Sequence, residues 1–227
     1  MKGPIRLDVF SDYLCPWCYN AAVRVGELET LYGDRVAVHW RTFPIIPDER
    51  PGRRVTREMQ AGRQRVAAEE PRAAFAPPPL DAPLPSSSVP VLTAAKCAER
   101  QGPEAFARFH ARLFLACFRD TLDVGQLPVL RDLVRECGLD VARFDRDWAA
   151  GEAYQAVLRD YAEGAAWFGV SALPTVIFDE RVSLVGAVPT ERYRALIDWI
   201  LAGEPGGIIP LPAGPAAAAP GQTPIAR

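Results

Sequence analysis

The chain has 227 residues, 49% of them apolar and 24% charged, with a formal net charge of −2, the balance of an ordinary soluble globular protein with ample length for a packed core. Near-neutral charge gives no electrostatic reason to expect nucleic acid or anionic lipid as a partner, and no run is long and apolar enough to span a membrane. Of the 26 basic residues only Lys2 and Lys96 are lysine; that bias, beside so much alanine and proline, reads as a GC-rich genome and not as a functional demand.

Met1 leads almost at once into Ile5-Arg6-Leu7-Asp8-Val9-Phe10, a buried strand with no apolar signal core before it. With five cysteines and only one close pair, this start predicts a cytoplasmic protein in a reducing compartment. The close pair follows the strand directly, in Ser11-Asp12-Tyr13-Leu14-Cys15-Pro16-Trp17-Cys18-Tyr19. A helical pattern then runs from Cys18 to about Tyr32, with Val23, Leu28 and Leu31 expected inward. A strand therefore feeds a helix whose first turn carries two thiols on one face, close enough to bond. Pro16 suits the first helical position, and the free N–H groups and dipole of that turn favour negative charge on Cys15. A fixed disulfide or half of a zinc site would explain the pair too. Its place on a strand-to-helix turn favours disulfide exchange.

Val36 to Phe43 reads as a second strand, so the opening is β-α-β with a parallel pair. Pro44, Pro47 and Pro51 break the pattern; Thr56 to Glu70 then forms a helix with Met59 and Val66 apolar among arginines. Residues 71–88 are a proline-dense loop without internal strand or helix, either a functional flap or a mobile connector. Ser88 is the expected cap of a helix reaching Arg100, and Glu104 to Phe118 forms the next. Thr121 or Asp123 starts a helix with the stripe Leu127, Leu130, Leu133 and Val134, ended by Gly138. Asp140–Ala149 and Ala153–Phe168 complete a helical middle. After Gly169-Val170-Ser171-Ala172-Leu173-Pro174, short strands Thr175–Phe178 and Val182–Val185 form a hairpin, and a helix opens at Pro189 or Thr190. The Pro, Gly and Ala of 203–227 predict a disordered tail.

Neither His39 nor His110 has a Cys or His at ligand spacing, and the Cys15/Cys18 pair lacks a partner pair, so no metal is expected and both histidines read as structural. Cys97, Cys117 and Cys137 read as small buried thiols. Asp12 could relay a proton to the thiols, although such an Asp more often bonds turn backbone. Trp17 and Tyr19 either line a substrate groove or pack against the insertion. Pro174 reads equally well as a cis proline or as a trans proline starting a strand.

The order β-α-β, helical insertion, α-β-β-α resembles the DsbA family of thioredoxin-fold oxidoreductases, and within it the FrnE-like branch, over about residues 5–202. The motifs that carry the resemblance are Ser11-Asp12 with Cys15-Pro16-Trp17-Cys18-Tyr19, and Gly169-Val170 with Pro174-Thr175. Phe114 to Phe118 and Cys137-Gly138-Leu139-Asp140 also look like that branch. The resemblance implies an α/β thioredoxin-like domain from 1–50 and 165–202, with 51–164 as a helical insertion domain. It implies Cys15 as nucleophile, Cys18 as resolving thiol and Pro174 as a cis proline beside them. Leu173 would offer backbone to a substrate chain, and Pro16, Trp17 and Tyr19 would belong to the substrate surface. The substrates would be disulfide-containing proteins or small thiols, served by a cellular thiol reductant, in a monomer or homodimer. No cofactor is called for, and glutathione would enter only as a co-substrate. Trp17 brings no charge to the Cys15 sulfur, so the expected potential is on the order of −180 to −260 mV, the reductase or isomerase range. Kappa-class glutathione transferases and 2-hydroxychromene-2-carboxylate isomerases resemble the chain in layout, but typically carry Ser at the first motif position and no resolving cysteine. A non-enzymatic peptide-binding chaperone that clamps clients with the insertion is a third reading.

Overall fold

A computed structural model describes residues 3–204. Strand β1 (Ile5–Ser11), helix α1 (Pro16–Tyr32) and strand β2 (Val36–Thr42) open the chain. Six helices follow: α2 (Arg57–Ala68), α3 (Val89–Glu99), α4 (Pro103–Phe118), α5 (Leu127–Glu136), α6 (Val141–Ala150) and α7 (Glu152–Ala166). The hairpin β3 (Thr175–Phe178) and β4 (Val182–Val185) and helix α8 (Thr190–Leu201) close it. The sheet order is β2-β1-β3-β4, with β1 parallel to β2 and antiparallel to β3. Of the expected tail only residues 203 and 204 fall within the described range. Among the described residues no helix is long and apolar enough to cross a membrane.

Alternation along β1 divides the core. Ile5, Leu7 and Val9 face Val25 and Leu28 of α1 and Tyr193, Leu196 and Ile197 of α8. On the other face Phe10 packs against Phe43 and Phe168. There α7 crosses so close that a Cβ on Gly164 would stand 2.7 Å from Phe10 Cε1; only glycine lets the helix down onto the sheet. Two ionic junctions tie the middle helices to the rest of the chain. Asp160 of α7 accepts from Arg41 Nε at 2.7 Å through one oxygen and from the Thr42 N–H at 3.0 Å through the other, and Lys96 of α3 stands 2.9 Å from that second oxygen. Arg24 of α1 donates to Glu70 at 2.9 Å, to the Glu69 carbonyl at 2.6 Å, and to the carbonyls of Ala187 and Val188 at 2.5 and 3.0 Å.

Several local expectations change. Leu31 is 46% exposed while Val25 is buried, because α1 turns a different stripe towards β1 and α8. Helix α5 begins at Leu127, after a turn in which Thr121 has φ 53° and the Asp123 carboxylate accepts from the Gly125 N–H. Ser88 stands at the N-cap of α3, as expected, but its hydroxyl makes no capping bond: it accepts from the Ile46 N–H, and Ser87 accepts from the Val89 N–H. The loop 71–88 does carry one β-bridge, Arg54 to Pro83. Hydrogen bonds from Val55 to Ala82 and from Leu84 to Arg53 extend this seam along residues 53–55.

Candidate active site

At the end of β1 the chain turns once before α1 begins. The Cys15 N–H donates to the Asp12 carbonyl at 3.1 Å, and the Cys15 carbonyl accepts from Cys18 and Tyr19. Cys15 is therefore the N-cap, with extended backbone (φ −94°, ψ 113°), and Pro16 takes the first helical position, where its lack of an N–H costs nothing. Asp12 holds this turn in place. Its two oxygens accept from the N–H groups of Leu14 and Ile45, each at 2.7 Å, so the dithiol turn is pinned to the chain leaving β2. Burial pushes its carboxyl up to about 6, against the Ser88 hydroxyl, the two N–H groups and the Arg53 charge, which all favour the carboxylate.

Both thiols are free and buried. Burial pushes the Cys18 thiol well up, and its hydrogen bond to the Cys15 sulfur adds to this; the Asp12 N–H and the Ser11 hydroxyl, close to the same sulfur, oppose it. Burial thus favours the protonated thiol at Cys18, beside the Cys15 sulfur. The strand register brings in the second motif. Thr175 stands opposite Phe10, which carries the preceding residues to the end of β1 where the dithiol turn starts. The Leu173–Pro174 bond is cis. Leu173 lies in the same buried cluster as Cys15 and Cys18, and Pro174, also buried, accepts from the Gly186 N–H at 2.8 Å.

Of the aromatic residues near the thiols, Trp17 is half-buried and, with Pro16, lines an open cleft of about 480 Å³ against α2. Tyr19 is buried instead of facing a groove. Its ring stacks at 5.1 Å on Phe114 and 5.8 Å on Phe118, and its hydroxyl accepts from the Ala74 N–H. Of the two roles open to it, it has the one that holds the insertion and the proline-rich loop to α1. His110 is buried too, its Nδ1 2.8 Å from the Tyr13 hydroxyl, and burial pushes its imidazole down to about 3. Cys97 and Cys117 are buried as expected, but Cys137 is half-exposed at the end of α5.

Sequence reasoning passed over Arg63, which lines the cleft and stacks its guanidinium 5.0 Å over the Phe118 ring. The signal was there in the spacing of Met59, Arg63 and Val66, which puts all three on one side of α2.

Comparison with known proteins agrees with this fold. A candidate protein disulfide isomerase from Nitrosomonas europaea superposes with a TM-score of 0.74 at 21% identity, covering 88% of this chain and 98% of that one. The cytosolic disulfide reductase DsbM from Pseudomonas aeruginosa, solved with glutathione, superposes at 0.61 with 23% identity, covering 87% and 96%. In sequence, the ClpXP adapter protein SpxH of Halalkalibacterium halodurans is 24% identical over 216 residues, spanning 90% of this chain and 70% of that protein. At these identities the superpositions speak to fold alone. A model of the DSBA-like thioredoxin domain matches residues 6–198, and the chain belongs to that family.

Proposed function

We propose that the protein is a thiol–disulfide oxidoreductase that works through the Cys15–Cys18 dithiol, in the reductase or isomerase direction, on protein or small disulfides. The observation that carries this reading is the unequal placement of the two sulfurs. Cys15 stands at the N-cap of the helix, and Cys18, one turn in, lies fully buried behind it, where burial favours its protonated form. Cys15, as thiolate, attacks a substrate disulfide; a mixed disulfide forms and one substrate thiolate leaves. Cys18 then gives up its proton and attacks the Cys15 sulfur. This closes the Cys15–Cys18 bond and releases the second substrate thiolate, so two electrons pass to the substrate. Two thiols of a cellular reductant, glutathione among them, return the pair to its starting state; release of the mixed disulfide by another substrate thiol gives isomerisation instead.

Asp12 is the acceptor we assign to the Cys18 proton. Its backbone adjoins that sulfur, and a carboxyl pushed up to about 6 exchanges a proton near neutral pH. Leu173 and the cis Pro174 supply backbone for a bound substrate chain, and Pro16 and Trp17 supply side-chain contacts. The reading also places the protein in the cytoplasm, as a monomer or homodimer.

The test is the fraction of Cys15–Cys18 disulfide in graded glutathione buffers, read by alkylation and mass. A single two-electron transition between about −180 and −260 mV, absent in Cys15→Ser, is expected. Cys18→Ser should accumulate the mixed disulfide. No intramolecular disulfide at any ratio, with saturable glutathione binding, would sink the dithiol reading in favour of a glutathione-dependent transferase or isomerase.

A further inference from the structure

Behind the open cleft beside Pro16 and Trp17 lies a narrower slot. The two share Leu14, Met59, Arg63 and Phe118 as walls, so they form one continuous depression that begins at the dithiol turn. The slot has a volume of about 70 Å³, several times what one water needs and enough for an aliphatic side chain. Its inner walls are apolar, with Val55, Pro83, Leu84 and Leu122. Its charges are uneven: Arg53, Arg63 and Arg65 line the depression against one carboxylate, Glu58.

Arg63 is the anomaly. Burial pulls its pKa down, and among the described residues its guanidinium has no carboxylate partner; the buried NH1 makes no hydrogen bond. A cation half withdrawn from water with neither counter-ion nor acceptor is a costly arrangement. The ring of Phe118 returns only part of that cost. Arg53, the second cation, is already engaged with the Pro85 carbonyl at 2.6 Å. What Arg63 lacks is an anion arriving with the ligand.

We infer that this depression selects polypeptide disulfides in which the cysteine that exchanges with Cys15 has an apolar and an acidic side chain nearby, the apolar group entering the slot and the carboxylate binding Arg63. The inference rests on the dithiol reading for its chemistry, but the recognition is separable from it. A polypeptide is favoured over a small thiol because the slot walls offer apolar surface, which the polar backbone of glutathione would not fill.

Two peptide disulfides that differ only in Glu or Gln beside a Leu-Cys pair test it. The Cys15–Cys18 dithiol should reduce the Glu peptide about tenfold faster in kcat/KM, a preference that falls with salt, and Arg63→Gln should bring the ratio to within about twofold of one. Oxidised glutathione should react with both forms within about twofold of each other. A wild-type ratio near one, or a ratio that survives Arg63→Gln, overturns the inference. An equal loss on oxidised glutathione overturns the polypeptide assignment in favour of a small-thiol carboxylate. Calorimetric binding of the same peptides with S-methylated cysteine gives the ratio without any exchange. Discrimination without turnover would sink the oxidoreductase reading and leave the slot standing. Turnover without discrimination would do the reverse.

Discussion

Arg24 and Arg63 lie on neighbouring helices, and both have been drawn out of water, yet only one is satisfied. Arg24, its side chain 7% exposed, spends its guanidinium on Glu70 and on the backbone carbonyls of Glu69, Ala187 and Val188. Arg63 has a ring beneath it and an NH1 with no acceptor. The first arrangement is a rivet: the insertion's first helix is fixed to α1 and to the turn before α8. The second leaves a guanidinium that lines the depression beside the thiols without a counter-ion among the described residues. Buried charge by itself therefore says little about function; whether its hydrogen bonds are filled from within the chain separates the clamp from the site.

The comparison breaks first at the clamp. Glu70→Ala leaves Arg24 and Arg72 facing each other without their shared carboxylate. The expected loss is about 3–5 kcal/mol, read as a drop in Tm of about 10 °C or more. A change within 1–2 °C of wild type would mean that the backbone carbonyls alone hold Arg24, and that the rivet is not ionic. Asp160→Asn at the other junction should cost somewhat less, about 2–3 kcal/mol. The amide can still accept from the Thr42 N–H but no longer balances Arg41 and Lys96. Urea midpoints of the two variants rank the junctions directly.

Acid separates the clamp from the dithiol turn. The Arg72 and Arg24 guanidiniums hold Glu70 down at about 2. Its contribution is therefore complete above the ordinary carboxylate range and is lost as pH falls from about 4.5 towards 2. Asp12 has the opposite sign. Its carboxyl is raised to about 6, so the folded state binds the proton more tightly than the unfolded chain. Stability from this group is present below about 4 and is lost as pH rises to 6. Urea midpoints between pH 3 and 7 should show Asp12→Asn flattening the upper limb relative to wild type and Glu70→Gln flattening the lower one. If both substitutions altered the same limb, one of the two assignments would be wrong.

How much of this was legible in the chain follows from which physical rule each part obeys. The strands of the sheet were readable because alternation and turn residues are local: Thr175–Phe178 and Val182–Val185 stand where the pattern put them. The dithiol turn was readable for the same reason, since a strand end, a proline at the first helical position and two thiols three apart are fixed by neighbours in sequence. The orientation of Leu31, the burial of Tyr19 and the partner of the Ser88 hydroxyl were not. Each is decided by a partner far along the chain: α8 for the first, Phe114 and Phe118 for the second, Ile46 for the Ser88 hydroxyl that would otherwise cap the helix. Arg63 is the extreme case. Nothing about an arginine in an arginine-rich helix announces that it lacks a counter-ion; that is a property of the packed molecule.

The smallest expected effect is also the sharpest. If Arg63 is an unfilled site and not a weak rivet, removing its charge should cost the fold almost nothing. Arg63→Met keeps the length of the stem and the contact with Phe118 while discarding the unpartnered guanidinium. The expected change is within about 0.5 kcal/mol of zero, or slightly stabilising, because a desolvated unpaired charge opposes folding and an apolar side chain of similar reach does not. Thermal unfolding at matched pH reads the outcome. A loss of about 2 kcal/mol or more would place Arg63 with Arg24, as a group whose bonds the chain itself fills, and the distinction between clamp and site would fall at this residue.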